Sequence, residues 1–143
     1  MPVNGASSDH GQIDAEHLRL LSIFHFVGAG LGFVGLLFVA GHFALFHAFL
    51  SNPQFWQNAK NGPPPAAFFT LFRWFYAVVA LWFLSSGVLN LLSAFYLRAR
   101  RHRVFSMVVA GFNCLHMPLG TILGIFTFIV LSRGSVEKLY APH

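Results

Sequence analysis

The chain has 143 residues, of which 56% are hydrophobic, 17% aromatic and only 9% charged, with a formal charge of +5. A soluble domain carries roughly 25% charged residues, so the composition excludes an ordinary water-soluble globule and points to an integral membrane protein. The one cysteine excludes an intrachain disulfide, and basic residues that bracket apolar runs instead of striping a face speak against nucleic acid as a partner.

Residues 1–13, "MPVNGASSDHGQI", are polar, with two glycines and a proline, and read as a flexible tail. Asp14 then looks like an N-cap, with Glu16 in a first turn where negative charge suits the helix dipole, so the first helix is expected to begin near Ala15. Its apolar stretch, about 18–50, is roughly twice the length of a signal-peptide core, and no small-x-small cleavage site follows it. It is expected to stay as a membrane span. The link Ser51 to Pro65, "SNPQFWQNAKNGPPP", is rich in proline and turn residues, with Phe55 and Trp56 suited to the membrane interface.

The second span covers about 66–98 and the third about 104–132. Each apolar stretch exceeds the ~20 residues that cross about 30 Å of hydrocarbon. Between them "RARRHR" places Arg98, Arg100, Arg101 and Arg103 in a short link, which the positive-inside tendency marks as cytoplasmic. With three full spans, Arg19 and these four arginines lie inside against Lys60, Arg73, Arg133 and Lys138 outside. If the chain turned back at Pro118, Arg133 and Lys138 would join the inner side, which satisfies the rule better. The pieces flanking Pro118 are ~14 residues, about 21 Å each, too short to cross separately. The expected architecture is therefore all-α: a bundle of three transmembrane helices in one domain, 14–143, with the third kinked at Pro118 and a re-entrant hairpin there as the alternative.

All four carboxylates, Asp9, Asp14, Glu16 and Glu137, lie outside the apolar spans, which counts against a proton pump or cation transporter. No nucleophile elbow, zinc-protease pair, phosphate loop or dinucleotide fingerprint occurs, so no enzyme is expected. Counting ~1.5 Å per residue from the arginine link puts Asn90 and Asn113 at about 12 to 14 Å depth and His116 at about 18 Å. Polar side chains at that depth are costly against lipid, so these three are expected to face one another as a structural layer. Pro118 leaves the Cys114 carbonyl without its helical donor in the same region.

A sharper reading makes His25, His42 or His116 the ligand of a haem iron or chlorophyll magnesium. His25 and His116 differ by roughly 10 Å in depth, and His42 and His47 are turned about 140° from each other on one helix. Arg73, seven residues into the second span, is read as reaching a lipid headgroup or a partner's anion, as are Arg98, Arg100, Arg101 and Arg103. Gly28, Gly32 and Gly35 share a helix face, and Gly120 with Gly124 repeats the four-residue spacing, so these faces admit close helix packing within the bundle or against another copy or subunit.

"EHLRLLSIFHFVGAGLG" and the distant "CLHMPLGTILGIFTFIVLSRGSVEKLY" resemble a widespread group of small bacterial membrane proteins of uncharacterised function. The likeness covers the first and last helices, and Pro118, Gly120, Thr121 and Gly124 carry its distinctive part. It implies a helical membrane fold and a bacterial inner-membrane location. The expected function is that of a non-catalytic accessory subunit of a larger membrane complex, contacting lipids, other integral membrane subunits or its own copies. The alternative is a haem- or chlorophyll-binding subunit of an electron-transfer or photosynthetic complex, and a small channel or transporter ranks below both.

Overall fold

The computed structural model describes residues 5–57, 59–60, 62–115 and 119–140, which are helical throughout with short links and no strand. Among the described residues six helices follow in order: α1 Gly5–Leu50, α2 Pro53–Trp56, α3 Ala66–Ala99, α4 Arg103–Asn113, α5 Leu119–Leu131 and α6 Gly134–Leu139. Two of them, α1 and α3, are long and apolar enough to cross a membrane. They run for 46 and 34 residues.

The helix α1 starts ten residues before Ala15, and Asp14 is not its cap. Asp14 lies inside α1, 4% exposed, with Arg133 at 3.7 Å. An acidic residue ahead of an apolar run is a local cap signal, and a partner 119 positions away overrides it.

The chain divides into two compact units, one formed by Met1–Gly30 with Ser86–His143 and the other by Leu31–Ser85. In the first unit, Ser22 Oγ donates to the Ala94 carbonyl at 2.9 Å, Phe26 meets Phe95 edge to face at 5.2 Å, and Gly28 lies against Asn90. Rising numbers on α1 meet falling numbers on α3, so the two run antiparallel there. Leu18, Leu21, Leu97, Val130, Leu131 and Val136 form the core, with Met107, Leu123 and Tyr140 packed on it.

The expected third span is not one continuous helix. The helices α4 and α5 pack on each other as an antiparallel hairpin: Arg103 Nε donates to the Leu131 carbonyl at 2.7 Å, while at the other end Thr121 Oγ1 donates to the Cys114 carbonyl at 2.9 Å. Their 11 and 13 residues reach about 16 and 20 Å, less than a membrane's hydrocarbon. Pro118 and His116, and with them the expected kink, lie outside the described residues.

The hairpin is closed by a small residue. A Cβ on Gly124 would lie against the Ala110 carbonyl oxygen, 2.6 Å from Cys114 Sγ and 3.1 Å from Cys114 N, so only glycine admits this approach of the two backbones.

The link before α4 has a different economy. At the end of α3, Arg101 N bonds the Tyr96 carbonyl at 2.9 Å and Arg100 N the Leu97 carbonyl at 3.3 Å, with Arg100 at φ 51°. That is the Schellman pattern, in which glycine usually holds the left-handed position. His102 is left-handed too, at φ 53°. Two non-glycine residues there cost about 1–2 kcal/mol each, offset in part by Tyr96, whose ring touches those of His102 and Phe105 at 4.8 and 5.2 Å.

In the second unit, Gly35 packs under the Phe83 ring and Phe43 meets Phe72 and Tyr76 at 5.9 and 5.4 Å. The direction is again antiparallel. The link is anchored by Trp56 Nε1, which donates to the Leu50 carbonyl at 2.9 Å, and by Asn52, whose side chain caps α2 ahead of Pro53.

Candidate functional site

Beside its apolar core, the first unit buries a set of polar side chains. Ser22, His25, Ser86, Asn90, Ser93, Ser106, Asn113 and Thr127 are all at most 5% exposed. Asn90 and Asn113 close a ring of two hydrogen bonds: Asn90 Nδ2 donates to Asn113 Oδ1 at 2.9 Å, and Asn113 Nδ2 donates to Asn90 Oδ1 at 2.7 Å. The second Nδ2 hydrogen of Asn90 reaches the Ser86 carbonyl at 2.9 Å. Gly28 lies beside this pair, where a Cβ would make ordinary contact, 3.4 Å from Asn90 Oδ1.

His25 is wholly buried, and its Nδ1 donates to the Leu21 carbonyl at 3.0 Å. That bond makes Nε2 the bare acceptor nitrogen, and Nε2 is buried without a partner. Ser93 Oγ and Ser106 Oγ are buried and unpartnered as well. Thr127 instead bonds back to the Leu123 carbonyl at 2.7 Å.

The other histidine candidates are placed differently. His42, half-buried in the second unit, has its Nδ1 hydrogen-bonded to the Tyr76 hydroxyl and its ring stacked on Phe46 at 4.6 Å. It belongs to the second unit, whereas His25 belongs to the first. Among the described residues no group of three or more His, Cys, Asp or Glu converges as a metal site.

The hairpin gathers charge at one end of the first unit. Arg103 pairs with Glu137 at 3.2 Å and Arg133 with Asp14 at 3.7 Å. Arg100, Arg101, His102, Arg103 and Tyr140 line a hollow of about 460 Å³. A second hollow of about 550 Å³ is walled by Arg19, Arg98 and Arg100 above Leu18, Ile23, Phe26 and Leu97, with Glu16 at its edge. Burial pushes the Tyr140 phenol above its ordinary range, against the opposing pull of Arg103 and Arg100. Arg73 is exposed on α3.

The glycine faces are occupied by the chain itself at Gly28, Gly35 and Gly124, while Gly32 is buried and Gly120 half-buried. Sequence reasoning did not single out Ser93, Ser106 or Thr127, since serine and threonine in an apolar helix look alike whether they bond back to their own helix or face a neighbour. The Tyr76–His42 pair was open to detection, because the two residues fall at similar depth on neighbouring spans.

Comparison with family models, curated proteins and solved structures finds no match to this chain.

Proposed function

We propose that this chain is a non-catalytic integral membrane protein of the bacterial inner membrane, an accessory subunit whose work is association with other membrane components. One observation carries the reading: in the most apolar windows of α1 and α3, with mean hydropathies of 2.1 and 1.9, only 22% and 28% of the residues are buried. The core helix of a soluble protein is mostly buried; these helices turn Leu37, Phe38, Leu71 and Trp74 outward instead.

Two crossing helices and a re-entrant hairpin then describe the fold in the membrane, with the arginine link, the start of α1 and α6 on the cytoplasmic side. This arrangement gives the inner side Arg19, Arg98, Arg100, Arg101, Arg103, Arg133 and Lys138, against Lys60 and Arg73 outside. The partner-facing surface in this reading is the stripe Val34, Leu37 and Gly41 of α1. Gly41 has nothing within 4 Å of a would-be Cβ, and Val34 and Leu37 are well exposed. The small residue there lets a second subunit's helix come close. A pigment-binding subunit is less well supported, because the His25 imidazole is enclosed and a macrocycle would have to part the helices to reach Nε2.

The test is native purification in mild detergent from membranes washed with alkaline carbonate. The chain is expected to stay with the membrane, to co-migrate with at least one further integral membrane subunit, and to show no Soret or chlorophyll band. Gly41→Leu should release the partner while leaving helicity intact. Release of the chain by carbonate alone overturns the membrane reading, and a bare monomer overturns the subunit reading.

A further inference from the structure

We infer that the hollow between α1 and the end of α3 is a site for one phospholipid with a net anionic headgroup; the inference rests on the membrane reading above. On α1, Ala15, Arg19, Ser22, Ile23 and Phe26 recur at helical spacing along one wall. Leu97, Arg98 and Arg100 supply the facing wall.

Charge and shape agree on the occupant. Among the described residues, Arg103 and Arg133 have carboxylate partners, whereas Arg19, Arg98 and Arg100 form no ion pair. Three guanidiniums against the single Glu16 carboxylate leave the mouth strongly positive. Guanidinium forks suit phosphate oxygens in pairs. Below them the wall from Arg19 to Phe26 descends about 10 Å along α1 through exposed Ile23 and half-buried Phe26. A free phosphate would use the rim and leave this floor empty, whereas a lipid fills both with its headgroup and the start of an acyl chain.

The backbone sets where the Arg100 side chain stands. Arg100 holds the left-handed position that closes α3, where glycine would be the easier residue. Its side chain lines both charged hollows at the cost of that conformation.

The experiment is native mass spectrometry of the full-length protein in mild detergent, titrated with phosphatidylglycerol, with phosphatidylcholine of the same acyl chains, or with inorganic phosphate alone. The expected result is one phosphatidylglycerol per chain, phosphatidylcholine at background, and no displacement of the lipid by equimolar phosphate. Arg98→Gln and Arg100→Gln should each weaken retention about fivefold. Arg101→Gln, an equal loss of charge outside the hollow, should weaken it less than twofold.

Equal retention of the two lipids, displacement by phosphate, or an Arg101→Gln effect as large as that of Arg98→Gln overturns the site. Circular dichroism checks that each variant is folded, and Arg100→Gln, which lies outside every helix, decides the matter if Arg98→Gln is not. If carbonate washing frees the chain from membranes, the membrane reading falls first. If the chain stays embedded yet binds both lipids alike, the lipid site alone is wrong.

Discussion

Asn90 and Asn113 stand 23 positions apart and meet through both amides, which gives their contribution a measurable form. Asn113→Leu removes one ring partner and leaves Asn90 Oδ1 buried without a donor. The expected cost is about 1–2 kcal/mol, read by denaturant titration in detergent with circular dichroism. Adding Asn90→Leu to that variant should cost far less than it does alone, a coupling of about 1 kcal/mol. Full additivity would mean that the ring contributes nothing. Tyr140 offers a second test at this scale, because its raised phenol pKa has a defined sign. Its stabilisation is present below about pH 10 and is lost as pH rises through the folded-state value. Ultraviolet titration should show one phenol ionising late, and Tyr140→Phe should abolish it with little loss of stability near neutrality, since the hydroxyl has no partner. Helical rise from the arginine link set Asn90 and Asn113 at matching heights on neighbouring helices without tertiary knowledge, whereas the two hydrogen bonds between them needed the fold. The ion pair of Asp14 with Arg133 was not legible in the sequence, since a local cap signal says nothing about a distant arginine.

Among the helices, the hairpin of α4 and α5 depends on the absence of a side chain at Gly124. Gly124→Ala forces a methyl against the Ala110 carbonyl and Cys114, and is expected to destabilise by about 1–3 kcal/mol. Gly111→Ala is the matched control. A Cβ there meets nothing within 4 Å, so the substitution should be neutral or stabilise α4 by about 0.5–1 kcal/mol. Thermal unfolding of the two variants in one detergent compares them directly, and equal shifts would remove the close approach as the reason for glycine. The long helices α1 and α3 were readable from apolar length alone. The hairpin was not, because one kinked span and two helices folded together share the same apolar run. Requiring each half to cross the membrane favoured the kinked span, but a re-entrant segment does not cross. What separates the two is the approach of Gly124 to Ala110 and the bond from Arg103 to the Leu131 carbonyl, contacts that periodicity does not contain.

Over the whole chain, the hairpin decides where the charges lie. If α5 returns beside α4, the segment after Leu131 comes back to the arginine link, as the Arg103–Glu137 pair requires. A full third crossing would carry Ser135 to the face opposite Arg101, with Arg133 and Lys138 stranded there against the positive-inside tendency. Cysteine labelling separates these outcomes. In a Cys114→Ala background, single cysteines at Arg101, Ser135 and Lys60 are treated with an impermeant maleimide in right-side-out and in inverted membrane vesicles. Positions 101 and 135 should react in inverted vesicles and stay silent in right-side-out ones, and position 60, at the other end of α3, should do the reverse. Ser135 is exposed and precedes the pair-forming Glu137 by two residues, so its labelling reports the sidedness of the hairpin's return and not the burial of the probe. Reaction of position 135 together with position 60 would restore the third crossing, and with it an outward charge of two basic residues against the positive-inside tendency.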